Sequence, residues 1–131
     1  MVKINPFLRA AIIGLFIVMY HVSAAQSQEP YVRIAKIVVD SLQLENYKTF
    51  LKEGIKTAVR VEPGVLRMYA VYEKDKPAHI TIFETYASKE AYNRHIKTTH
   101  FLKYKNGTLP MVKSLELVDV IPIAFEAKTQ H

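Results

Sequence analysis

The side chains from which this chain must build any chemistry are five histidines, eight tyrosines, six phenylalanines and the charged residues, since it has no cysteine and no tryptophan. Histidine is considered first, because a neutral imidazole exchanges protons near neutral pH and also ligates metals. His95 and His100 are five positions apart, which on one continuous helix separates them by about 140°. They would not share a face as an H-x-x-x-H pair does, and His79 belongs to a different element, so the spacing predicts no metal site. Phosphate-binding loops, the dinucleotide fingerprint, the nucleophile elbow and a cysteine nucleophile are all missing. No bound metal, flavin or other cofactor is therefore expected. Haem stays as a remote alternative, because one histidine such as His95 can ligate it.

His95 is the candidate catalytic residue. Ala91, Tyr92, His95, Ile96 and Thr99 fall on one helical stripe that should face a sheet. An imidazole on an inward face is either hydrogen-bonded as part of the core or presented to a pocket. Spacing alone leaves both readings open. His100, beside Phe101, reads as a capping histidine or a second pocket member. The aromatic residues form the other group. Tyr69, Tyr72, Phe83, Tyr86 and Tyr92 come from a hairpin and the helix after it, so some of them should line the space between. Aromatic walls with polar tips suit a flat aromatic ligand, although each ring is equally at home in an ordinary core. Arg67 alternates in phase with Tyr69 and can hold an acidic ligand group or a carboxylate such as Glu84 or Glu116. The expected pocket is thus Tyr69, Phe83, Tyr92, His100 and Arg67 around His95.

The elements that must position these residues follow from periodicity and punctuation. Tyr31 to Val39 is β-rich and apolar and reads as a first strand. Asp40 or Ser41 can cap a helix over about 42–61, whose stripe is Leu44, Tyr47, Leu51, Ile55, Ala58 and Val59. Pro63-Gly64 ends it, with glycine opening the turn. Val65 to Glu73 and His79 to Tyr86 read as a hairpin across a polar turn. Ser88 caps a second helix to about Lys105, kinked near Thr98-Thr99, and Ser114 to Ile123 is the last strand. Asn106-Gly107-Thr108 fits a glycosylation acceptor and also an ordinary helix-ending turn, the preferred reading. The order β-α-β-β-α-β is the ferredoxin-like split unit, an α+β fold with a four-stranded antiparallel sheet and both helices on one face. The strands are apolar on both sides: Leu66, Met68, Ala70 and Tyr72 alternate with Val65, Tyr69 and Val71, and Ile34 and Val38 oppose Ala35, Ile37 and Val39. Two helices cover one face only, so the second should be covered by another copy of the chain, giving a homodimer.

The ends and the charge narrow the setting. Lys3 and Arg9, an apolar run from Ala10 to Tyr20 and the small residues Ser23, Ala24 and Ala25 make a secretory signal over residues 1–25. The run is shorter than the ~20 residues that span a bilayer. Cleavage after Ala25 or Ala24 leaves 131 − 25 = 106 residues, a single domain over 26–131, exported to a periplasmic or secreted location. Its net charge is (18 − 2) − 12 = +4, scattered and without a basic run, so no nucleic-acid partner is expected.

Two stretches carry a family resemblance. Glu62-Pro63-Gly64-Val65-Leu66-Arg67, and Phe83-Glu84-Thr85-Tyr86-Ala87-Ser88-Lys89-Glu90-Ala91-Tyr92-Asn93-Arg94-His95 followed by Thr98-Thr99-His100-Phe101, resemble the antibiotic biosynthesis monooxygenase family over about residues 31–120. The resemblance implies a dimeric ferredoxin-like fold, a dimeric α+β barrel, with a pocket between sheet and helices. It also implies a cofactor-independent monooxygenase that oxidises a small electron-rich aromatic, of the quinol or phenol type, with O2. His95 then matches the family's helix histidine as base or ligand-orienting group. Haem-degrading relatives have a pocket tryptophan and an asparagine on the first strand, and this chain has neither. The alternative class is a non-catalytic dimeric module that binds a small ligand on the same fold.

Overall fold

The computed structural model describes residues 29–129. The segment read above as a signal, and His131, lie outside the described residues. Strand β1 (Tyr31–Val39) leads through a 3-10 turn (Ser41–Gln43) into helix α1 (Leu44–Val61), and strands β2 (Val65–Tyr72) and β3 (His79–Tyr86) form the hairpin. Two short helices follow, α2 (Lys89–His95) and α3 (Thr99–Thr108). A second 3-10 turn (Leu109–Met111) precedes strand β4 (Val112–Val120). All pairings are antiparallel, in the order β2-β3-β1-β4. This is the ferredoxin-like α+β fold that the element order predicts.

Local chemistry explains the boundaries. The Asp40 carboxylate accepts the Leu42 N–H at 3.0 Å and starts the turn into α1. Ser88 Oγ accepts the Ala91 N–H at 3.1 Å and starts α2. The expected kink is a full break: residues 96–98 leave the helix, and Thr98 begins α3 by accepting the Phe101 N–H at 3.2 Å while donating to the His95 carbonyl at 2.7 Å. The last strand runs 112–120 rather than 114–123. It takes its start from pairing with Val39 and ends before Pro122, which has no N–H for a ladder.

Ala35, Ile37, Val39, Tyr47, Leu51, Ile80, Ile82 and Met111 form the main core between sheet and helices. Val65 also faces the helices, in a second cluster with Ala58, Tyr86 and Ala91. The expected alternation put Val65 on the other side. A bulge at Leu66 shifts the register between Val65 and Arg67 and reverses it. Gly64 is not needed for an unusual backbone angle, since no glycine among the described residues has positive φ. A Cβ there would lie 2.6 Å from the Ala91 Cβ, so glycine is what lets the chain entering β2 pass close beside α2.

The register assigns the faces. Arg33, Ala35 and Ile37 pair with Glu84, Ile82 and Ile80, and on the edge with Asp119, Leu117 and Leu115, so these side chains point toward the helices. Arg67, Tyr69, Val71, Phe83, Val32, Ile34, Val118 and Val120 point the other way. The outer face is therefore rich in apolar residues, and Tyr69, Val71 and Phe83 on it are exposed. The C-terminal segment reaches this face: the Arg67 guanidinium sits 3.5 Å from the centre of the Phe125 ring, although β2 and β4 are opposite edges of the sheet.

Candidate functional site

A cavity of about 270 Å³ opens between the inner face of the sheet and α1, α2 and α3. Its walls are mostly apolar: Ile37, Leu51, Ile55, Met68, Ile82 and Phe101. Leu115 and Leu117 on β4 form its open flank and stay about half exposed, because the helices cover the β2–β3 side of the sheet. Few polar groups enter. They are Arg33 and Glu84 from the sheet, the tyrosines Tyr86, Tyr92 and Tyr104, His95, and Lys105 and Thr108 from the end of α3. A mainly apolar hollow with a few convergent polar groups is the usual form of a small-molecule site.

His95 ends α2 and is 5 % exposed. Its ring lies between Tyr86, with centroids 5.4 Å apart, and Phe101, edge-on at 5.0 Å. The Glu62 carboxylate, from the residue that ends α1, holds His95 Nδ1 at 2.7 Å. A carboxylate only accepts, so Nδ1 carries the hydrogen and Nε2 of the neutral ring keeps its lone pair. Among the described residues Nε2 has no partner and no buried polar side-chain atom lacks one, so Nε2 is the accessible edge of a residue that lines the cavity.

The same Glu62 oxygen holds His100 Nε2 at 2.6 Å. This corrects the expectation that the two histidines do not converge. The 140° separation applies to a continuous helix, whereas the break at 96–98 re-aims α3 and brings both imidazoles to one carboxylate. The Glu62, His95 and His100 donor atoms lie within 4.8 Å of one another, the only such trio able to share a metal ion among the described residues. As arranged, both nitrogens donate to the carboxylate, so a metal ion would have to displace two protons.

On the sheet wall of the cavity, Glu84 accepts the Tyr86 hydroxyl at 2.9 Å. Burial pushes the Glu84 carboxyl above its ordinary range, against smaller opposing pulls from Tyr86 and Arg33. Burial pushes the Tyr86 hydroxyl up as well, followed by the charge of Glu84. Arg33 Nη1 donates to the Tyr92 hydroxyl, and its Nε donates to Asp119 at 2.8 Å. The guanidinium also covers the Tyr92 ring, 4.3 Å from its centre.

Of the expected pocket residues, Tyr92 lines the cavity with His95, and His100 stands behind it on the far side of Glu62. Tyr69, Phe83 and Arg67 are not in the pocket. They lie on the outer face of the sheet, where Tyr69 and Phe83 pair with centroids 6.5 Å apart and Arg67 meets Phe125. Arg67 cannot reach Glu84 in the way proposed from the sequence, because Glu84 points to the helices. The site residues not foreseen are Arg33, Glu84 and Tyr104, which line the cavity, and Glu62, which stands behind it and holds His95. Glu62 and Glu84 both stand inside the stretches quoted for the resemblance, which was the available signal. Nothing in local spacing marked Arg33, whose value comes from pairing with Asp119 across strands and with Tyr92 from a helix.

A model of the antibiotic biosynthesis monooxygenase family matches residues 30–107. Among solved structures, a candidate antibiotic biosynthesis monooxygenase from Bacteroides thetaiotaomicron VPI-5482 is 49 % identical, covers 78 % of this chain and 97 % of its own, and superimposes with a TM-score of 0.74. A candidate monooxygenase from Lactobacillus acidophilus NCFM is 28 % identical over 72 % of this chain and 47 % of its own, with a TM-score of 0.69. One from Nitrosomonas europaea has the same fold at 21 % identity, over 73 % of this chain and 92 % of its own, with a TM-score of 0.69. No protein of curated function matches.

Proposed function

The chain belongs to the antibiotic biosynthesis monooxygenase family, and from that premise we propose that it oxidises a small electron-rich phenol or quinol with O2, using His95 as the base. The observation that carries this reading is the Glu62–His95 pair, whose free Nε2 edges an apolar cavity sized for one small aromatic ring system. Nε2 takes the phenolic proton. The Glu62 carboxylate stabilises the imidazolium that results, and His100 holds the same carboxylate oxygen in place. The phenolate then supplies electrons to O2 directly. For a simple phenol the balance is phenol plus O2 giving quinone plus water, one oxygen atom entering the ring and the other leaving as water. The reaction asks the protein for a base, orientation and a dry pocket, and for no bound redox group. The same reading has the domain working as a homodimer through the outer sheet face, and as an exported protein after loss of residues 1–25. These rest on the apolar outer face and on the sequence pattern of the N-terminus.

Oxygen uptake with a panel of quinols and phenols tests the activity. Wild type should consume O2 in proportion to substrate. His95→Gln should bind the same arenes but turn over at least about 100-fold more slowly, the usual scale for a lost general base. Arene binding without uptake in wild type would point to the binding-module alternative. Equal turnover in His95→Gln would remove His95 from the chemistry.

A further inference from the structure

Glu84 is a buried titratable group that the reaction above does not use. It sits on the inner face of β3, two residues before Tyr86, and its carboxyl lines the cavity. Among the described residues its one hydrogen-bond partner is the Tyr86 hydroxyl. Arg33 is nearby but directs Nε to Asp119 and Nη1 to Tyr92, and it makes no ion pair with Glu84. An ionised carboxylate accepts about four hydrogen bonds, so one with a single partner against Met68 and Ile82 is poorly compensated. The protonated form fits the site better, consistent with the upward shift that burial imposes. Counting hydrogens then gives a definite result. The Glu84 and Tyr86 pair carries two O–H groups and makes one hydrogen bond between them, so one hydrogen has no acceptor among the described residues. Both residues line the cavity, but Tyr86 is fully buried, whereas the Glu84 oxygen without a partner keeps some exposure, so the spare hydrogen is placed on Glu84.

The cavity therefore has an acceptor, His95 Nε2, and a spare donor at Glu84, with the Tyr86 ring between them. We propose that Glu84, held by Tyr86, donates a hydrogen bond to a second oxygen of an aromatic ligand whose first hydroxyl meets His95, so that the site prefers dioxygenated arenes over monophenols. This inference rests on the phenol or quinol reading of the site and names the substrate class within it. A monophenol leaves the Glu84 hydrogen unpaired in an apolar wall, and a buried donor left unpaired is what makes such a site discriminate.

Anaerobic titration separates binding from oxidation, with 1-naphthol and 1,4-dihydroxynaphthalene as probes for wild type, Glu84→Gln and Glu84→Leu. Wild type should bind the diol at least about tenfold more tightly than the naphthol, the scale of one hydrogen bond to a buried group. Glu84→Gln keeps an acceptor for Tyr86 and an N–H for the ligand, so it should retain the preference. Glu84→Leu should abolish the preference by binding naphthol at least as tightly as wild type does, since no donor is left unpaired there, and an unchanged circular dichroism spectrum shows that the variant is folded. Equal affinities in wild type, or a preference surviving in Glu84→Leu, overturns the proposal and leaves the phenol reading standing. Failure of wild type to bind either probe sinks both. If Glu84→Leu loses both ligands, Glu84→Gln decides: loss of the preference there overturns the proposal.

Discussion

Two carboxylates do opposite work at one site, Glu84 in the cavity wall and Glu62 behind His95, and their surroundings set which. Glu62 meets two imidazole nitrogens, at 2.7 and 2.6 Å, which suits the ionised form. Glu84 meets one neutral hydroxyl in an apolar wall, which suits the protonated form. The Glu84 shift has a consequence for stability. Its folded pKa lies above its unfolded value, so its contribution is fully present below the ordinary glutamate value near 4.5 and is lost as pH rises through the higher folded value. Glu84→Gln cannot ionise. Melting curves should show wild type losing stability relative to this variant as pH rises above about 4.5. A difference that is flat with pH would mean that Glu84 titrates as in the unfolded chain.

At the scale of elements, the break between α2 and α3 is what assembles the site. Had the helix continued, His95 and His100 would diverge, and Glu62 would pair with one of them. Thr98 holds the break from both sides, through the His95 carbonyl and the Phe101 N–H. Thr98→Ala should cost about 1 kcal/mol, the usual worth of an N-cap, and lower the melting temperature by roughly 4–8 °C for a domain of this size. Thr98→Ser should restore most of it. An unchanged melting temperature in Thr98→Ala would show that packing alone fixes the break. The Gly64 contact acts on the same element. Gly64→Ala should destabilise by about 1–3 kcal/mol, because its Cβ would press on Ala91 and push α2, and His95 with it, off the sheet.

For the whole molecule, the outer face of the sheet is the surface that sets its assembly. Tyr69, Val71 and Phe83 stand there exposed beside Ile34, and contiguous apolar patches of this kind mark interfaces. Light scattering on residues 26–131 should give twice the chain mass at micromolar concentration. Val71 is 37 % exposed, so Val71→Asp is tolerable in a lone chain but buries an unpaired charge in a face-to-face pair. The variant should be monomeric or insoluble. A monomeric wild type, or a dimeric Val71→Asp, would place the interface elsewhere.

Local patterning was enough to order the elements, because alternation and helical stripes are set by neighbours a few positions apart. It marked β1, α1 and the hairpin almost to their ends, Ser88 and Asp40 as caps, and His95 as an inward residue of its helix. The same patterning could not say which side of a strand meets the helices when both sides are apolar. One extra residue at Leu66 was enough to move Val65, and Tyr69, Phe83 and Arg67 were expected in a pocket that lies on the opposite face. The site itself depends on pairings across 33, 38 and 59 residues, Glu62 with His95, Glu62 with His100 and Arg33 with Tyr92. Such contacts form only when the sheet register and the break at 96–98 bring distant segments together. Tertiary packing alone therefore decided that one carboxylate would hold two histidines and that another would be left with a hydrogen to give.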